Sequence, residues 1–137
     1  MIKVGTCGWG FYKGGFRAFI QKFSLVEVQQ TFYKLPMVKT AERWRAEAPG
    51  DFEFALKAWQ AITHLPTSPT WRRAGIKPKE AQLNKYGWLR PTKENFEAWR
   101  RTKEICDVLE AKVCVIQCPP NFKFVPENIV NMHKFLG

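Results

Sequence analysis

An α/β fold built on a parallel sheet, about four βα units long, is what this 137-residue sequence predicts. Three observations carry that reading. Apolar, β-branched runs alternate with stretches of helical periodicity four times over. Residues 52–57 alternate Phe52, Phe54 and Leu56 with Glu53, Ala55 and Lys57, giving one face for helix packing and one more polar face. Residues 24–36, SLVEVQQTFYKLP, begin as an apolar strand and turn polar toward the C-terminal end, where α/β folds present their sites.

Each element has a local reason. Residues 2–7 read as the first strand, followed by glycines at 8 and 10 that suit tight backbone turns. The glycine spacing fits neither G-x-G-x-x-G nor G-x-x-x-x-G-K-[ST], so no phosphate loop is predicted. Apolar residues at 16, 19, 20 and 23 make a helical stripe. After the second strand, a helix over residues 39–48 takes Thr40 as its N-cap and stops at Pro49-Gly50. The third strand follows at 52–57, with a turn or short helix running on to His64. Residues 65–91 form a long basic and aromatic connection without a clear period. Thr92 caps a helix running to about residue 110, residues 113–118 are the fourth strand, and Pro126 opens a last helix. The whole of residues 1–137 reads as one domain.

Composition bounds the rest. No apolar run reaches the ~18–20 residues of a membrane span and no signal-peptide pattern opens the chain, so a cytoplasmic protein without membrane contact is expected. Cys7, Cys106, Cys114 and Cys118 form no C-x-x-C pair and are expected as buried free thiols. His64 and His133 are the two histidines; no metal-ligand set and no cofactor fingerprint is evident. The formal charge of +10 points to an anionic partner, though it equally fits general solubility.

The blocks GTCGW (5–9), EVQQTFYKLP (27–36), FALKAWQAITH (54–64) and VIQCPPNFKFVPENI (115–129) resemble the domain-of-unknown-function 72 family, also called YecE-like. They occur in family order across nearly the whole chain. The resemblance implies a TIM-type barrel of uncertain biochemical function. Two departures stand out. Gln29 occupies the place where the family usually carries Asn, which displaces the amide by one methylene. An eight-stranded barrel also takes ~250 residues, so the chain looks like the N-terminal half of the family domain. Its first and fourth strands would then be open edges, and self-association or a partner chain completing the barrel is expected.

Strand alternation assigns the lumen. It sends Val26, Val28 and Gln30 toward the helices, and Glu27, Gln29 and Thr31 inward; Lys57 and Gln117 join them from neighbouring strands. Glu27 and Lys57 are expected to pair across adjacent strands, either as a structural ion pair or as a catalytic couple. In the catalytic reading Glu27 is a general acid/base, Lys57 an anion-binding cation or, if desolvated, a nucleophilic amine, and His64 an assisting group. Gln29, Thr31 and Gln117 bind substrate, with Trp9 and Tyr33 as an aromatic wall. Residues 71–90 carry Arg72, Arg73, four further cations and one acid, interleaved with Trp71, Tyr86 and Trp88. That pattern suits a lid over a small anionic substrate, phosphorylated or carbohydrate-like. The rival readings are a nucleic-acid-binding or nuclease-like surface on the same residues, and a partial domain without activity of its own.

Overall fold

The computed structural model describes residues 1–137 and is an α/β fold with four parallel strands and five α-helices, a partial TIM-type barrel. The strands β1 (Gly5–Cys7), β2 (Leu25–Val28), β3 (Glu53–Lys57) and β4 (Val113–Val115) lie side by side in chain order. The helices are α1 (Gly15–Phe19), α2 (Gln30–Tyr33), α3 (Val38–Glu47), α4 (Lys93–Leu109) and α5 (Pro126–Leu136). The register pairs Cys7 with Glu27, Glu27 with Ala55, and Ala55 with Val113, so these four residues form one row across the same face.

The other face is the core. Val26, Val28, Phe52, Phe54 and Leu56 are buried there, as the alternation of the third strand requires. Phe16 and Phe19 of α1 meet Phe52 with ring centroids 6.1 and 6.5 Å apart, and Trp9 sits 4.6 Å from Phe16 and 5.0 Å from Trp44. Each side chain of this size, fully buried, contributes about 1.5–3 kcal/mol, so the aromatic layer under the helices is the main source of stability. On α4 the residues Asn95, Ala98, Thr102, Ile105, Cys106 and Leu109 make one buried stripe. Thr92 caps this helix by accepting from the Asn95 N–H at 3.2 Å.

Several elements are shorter than the sequence suggests. The first strand begins at Gly5 rather than residue 2, and the fourth ends at Val115 rather than 118. The second strand stops at Val28, and the polar residues after it wind into α2. Thr40 does not cap α3: the helix starts at Val38 behind Met37, with no side-chain cap, and Thr40 lies inside its first turn. All four thiols are free, Cys106 buried but Cys7 exposed at the open end of β1. No helix is long and apolar enough to cross a membrane.

The long connection is a pinned structure rather than a loose lid. It contains two 3₁₀ turns, Pro69–Arg73 and Glu80–Gln82. Its later part pairs with the segment after β3: Gly87 N–H donates to Ala61 O at 2.8 Å, Trp88 N–H to Thr63 O and Leu89 N–H to Ile62 O, both at 3.0 Å. The fully buried Asn95 side chain accepts from Gly87 N–H and donates to Gly87 O and Arg90 O. Gly87 itself holds φ +80°, and a Cβ there would meet His64 O at 2.6 Å, so glycine is required.

Candidate functional site

Beyond the ends of β1 and β2 lies a pocket of about 280 Å³. Cys7, Gly8, Trp9 and Gly10 form one side; Val28, Gln29, Gln30 and Tyr33 form the other, with Arg73 at the rim. Local chemistry builds it. Gly8 adopts φ +82° so that the chain turns out of β1 at once, and its N–H donates to Glu27 O at 2.8 Å. Past β2, Thr31 winds the chain into α2: its hydroxyl lies 2.9 Å from Val28 O and 2.7 Å from Lys57 O. That one buried hydroxyl ties the end of β2 to the end of β3.

Tyr33 is held from behind. Its carbonyl accepts from Trp59 Nε1 at 3.3 Å and from Gln60 Nε2 at 2.9 Å; the same Gln60 nitrogen reaches Thr70 O at 3.1 Å. Gln60 therefore joins α2 to the turn that carries Arg73. The Arg73 guanidinium lies 3.9 Å above the Tyr33 ring, a stacked cation–π geometry, and pairs with no carboxylate. A planar, unpaired cation on an aromatic platform beside backbone glycines is suited to an anion.

Glu27 sits below this pocket on the uncovered face, beside Cys7 in the sheet register, and accepts a short hydrogen bond from the Gln29 amide. Gln29 thus aims its carbonyl oxygen away from Glu27 while remaining in the pocket wall. Lys57 does not pair with Glu27. Register explains this, because Ala55 is the neighbour of Glu27 and Lys57 stands two residues farther along β3. The Lys57 ammonium instead lies 5.0 Å from the centre of the Phe32 ring, which also meets the His64 ring near perpendicular with centroids 4.9 Å apart. His64 is buried, its Nδ1 2.8 Å from Thr63 Oγ1. Burial, reinforced by the nearby Lys57 charge, lowers its pKa, so the ring is neutral near pH 7.

The family model described as "Protein of unknown function DUF72" matches residues 4–137. The chain belongs to the DUF72 family. A solved DUF72 family protein from Enterococcus faecalis V583 superposes with a TM-score of 0.64 at 16% identity, covering 98% of this chain and 46% of that one. The UPF0759 protein YunF of Bacillus subtilis (strain 168) is 30% identical over 73 residues, which cover 46% of this chain and 26% of YunF. The chain thus spans about half the length of the solved DUF72 protein it matches. That likeness establishes the fold; it carries no activity.

Within this DUF72 chain the residues singled out by sequence divide into two groups. Trp9, Gln29, Tyr33 and Arg73 line the pocket, with Glu27 beneath it. Trp9 reaches it from beyond β1, where the chain turns and the indole packs on the helix side against Phe16 and Trp44. Five others stand apart. Thr31 is fully buried in α2 and spends its hydroxyl on backbone carbonyls, because the strand that would have pointed it inward ends three residues earlier. Lys57 and His64 gather around Phe32 behind the pocket. Arg72 points away from Arg73 into a separate surface groove with Lys77 and Ser68. Gln117 is exposed beyond the end of β4.

The aromatic residues of 71–90 are also committed internally. Trp71 is buried, donates to His64 O at 2.9 Å and packs on Tyr86 at 5.2 Å, while Trp88 donates to Asn121 and lies under Arg90. Sequence reasoning missed Gln60 and Asn95. Gln60 lies in an apolar run, where an amide among apolar neighbours signals a buried side chain that fastens backbone; Asn95, between Glu94 and Phe96, gives no such signal.

Proposed function

We propose that the pocket between the ends of β1 and β2 binds a small anionic ligand, phosphorylated or carbohydrate-like, and that Glu27 serves as the proton-transfer group beside it. The observation that carries this reading is the Arg73–Tyr33 stack: a guanidinium without a carboxylate partner, fixed at 3.9 Å on an aromatic face at the rim of the pocket. The half-buried Glu27 supplies the acid–base group, and the Gln29 amide orients its carboxylate. Lys57 and His64 support the pocket through Phe32 and leave the proton transfer to Glu27. The DUF72 family assignment fits a barrel enzyme without specifying a reaction.

Titration with inorganic phosphate and with a panel of phosphorylated monosaccharides, followed by calorimetry, tests the proposal. A charge-assisted hydrogen bond contributes about 1.5–3 kcal/mol, so Arg73→Ala weakens binding by roughly 10- to 100-fold. Arg72→Ala, in the other groove, leaves affinity within about twofold of wild type, less than the ~0.5 kcal/mol typical of a remote surface change. Equal losses from the two variants, or no saturable binding at all, would sink the reading and favour a diffuse polyanion surface instead.

A further inference from the structure

The Arg73–Tyr33 stack is a ridge between two cavities. On one side lies the pocket at the ends of β1 and β2; on the other a cleft of about 460 Å³ runs from α2 to the start of α3. Gln30, Tyr33 and Arg73 line both. The guanidinium makes no ion pair, and its planar fork of N–H donors can serve an anion from either side. The second cavity has a cation of its own, Lys34, which also pairs with no carboxylate. Its stem is seated on the connection that carries Arg73: the missing side chain of Gly75 leaves room for it, and Cγ, Cδ and Cε of Lys34 lie 2.9 Å from where a Cβ would stand.

Resting on the anion site proposed above, we propose that its ligand carries two anionic groups, as a monosaccharide bisphosphate does, with one phosphate at Arg73 over the pocket and the second at Lys34 in the neighbouring cavity. No acidic residue lines either cavity. Two cations on one wall without an acid between them repel each other, and a ligand with two negative groups relieves that repulsion where a single phosphate answers only one of them. The start of α3 adds to the same field. Met37 and Thr40 line the cavity there, no side chain caps the helix, and its first turn contains no acid. The rest of the wall, with Leu35 and Pro36, is apolar and suits the C–H face of a sugar ring between the two phosphates. Lys34 is then the residue that distinguishes a bisphosphate from a monophosphate, while Arg73 serves both.

The test is calorimetric titration of the 137-residue chain with fructose 6-phosphate and with fructose 1,6-bisphosphate at one fixed salt concentration. The bisphosphate is expected to bind at least about tenfold more tightly, the effect of one added charge-assisted contact. Lys34→Met keeps the stem on Gly75 and deletes the charge; it is expected to bring the bisphosphate to within about twofold of the monophosphate and to leave the monophosphate unchanged. Lys22→Met removes the same net charge before β2, at the opposite end of the strands, and is expected to preserve the preference. Arg73→Ala weakens both ligands. A bisphosphate bound no more tightly than the monophosphate, or a preference lost equally in Lys22→Met and Lys34→Met, would overturn the two-phosphate inference while Arg73-dependent monophosphate binding left the pocket reading standing. Absence of binding by either ligand, or binding indifferent to Arg73→Ala, would overturn both.

Discussion

Replacing Thr31 with Val asks whether this residue is a ligand-binding group or a structural tie. The side chain is completely buried, and Val keeps its shape while deleting the hydroxyl that lies 2.9 Å from Val28 O and 2.7 Å from Lys57 O. A net hydrogen bond contributes about 0.5–1.5 kcal/mol, and a buried acceptor left unpaired costs about 1–3 kcal/mol. With one proton shared between two carbonyls, the expected loss is about 2 kcal/mol. For a chain of this size ~3–4 °C per kcal/mol applies, so the melting temperature falls by about 7 °C. Differential scanning calorimetry measures it, with phosphate binding followed on the same sample below the transition. The account predicts lowered stability and nearly unchanged affinity. A variant as stable as wild type that has lost binding would refute it, and would return Thr31 to the pocket.

Asn95→Ala removes three hydrogen bonds from the backbone around Gly87 and Arg90, and urea denaturation is expected to show a loss of about 3 kcal/mol. Hydrogen exchange should localise that loss to the 84–92 segment. His64 gives a pH signature. Its folded pKa is below the ordinary 6.5, so the unfolded chain binds a proton that the folded chain resists, and stability declines as pH falls below about 6.5. His64→Gln is expected to flatten this dependence between roughly pH 6.5 and 5, measured as melting temperature against pH; an unchanged slope would assign the effect to other groups. Thr92→Ala, which removes the α4 cap, should cost about 1 kcal/mol in the same denaturation assay.

Much of the architecture was legible because local signals agreed with one another. The alternation of β3, the Thr92 cap of α4 and the Pro126 start of α5 all lie where sequence places them. The end of β2 was not legible. Phe32 and Tyr33 favour strand locally, but the bond from Thr31 to a carbonyl on β3, 26 residues away, turns the chain into a helix. The same limit applies to the site. Side-chain parity put Glu27 and Lys57 on one face, yet a pairing also needs the register, and the register sets them two residues apart along the strands. The basic connection shows the largest gap: adjacent Arg72 and Arg73 look equivalent in sequence, but a 3₁₀ turn points them to different grooves.

The central claim is that Arg73, braced on Tyr33, gathers an anion into the pocket between β1 and β2. A crystal of the protein soaked in selenate and mapped by the anomalous signal of selenium tests this most directly. The account predicts a peak bounded by the Arg73 guanidinium and the Gly8–Gly10 turn, absent in Arg73→Ala crystals. A peak confined to the Arg72–Lys77 groove, or one that persists without the Arg73 side chain, would contradict it.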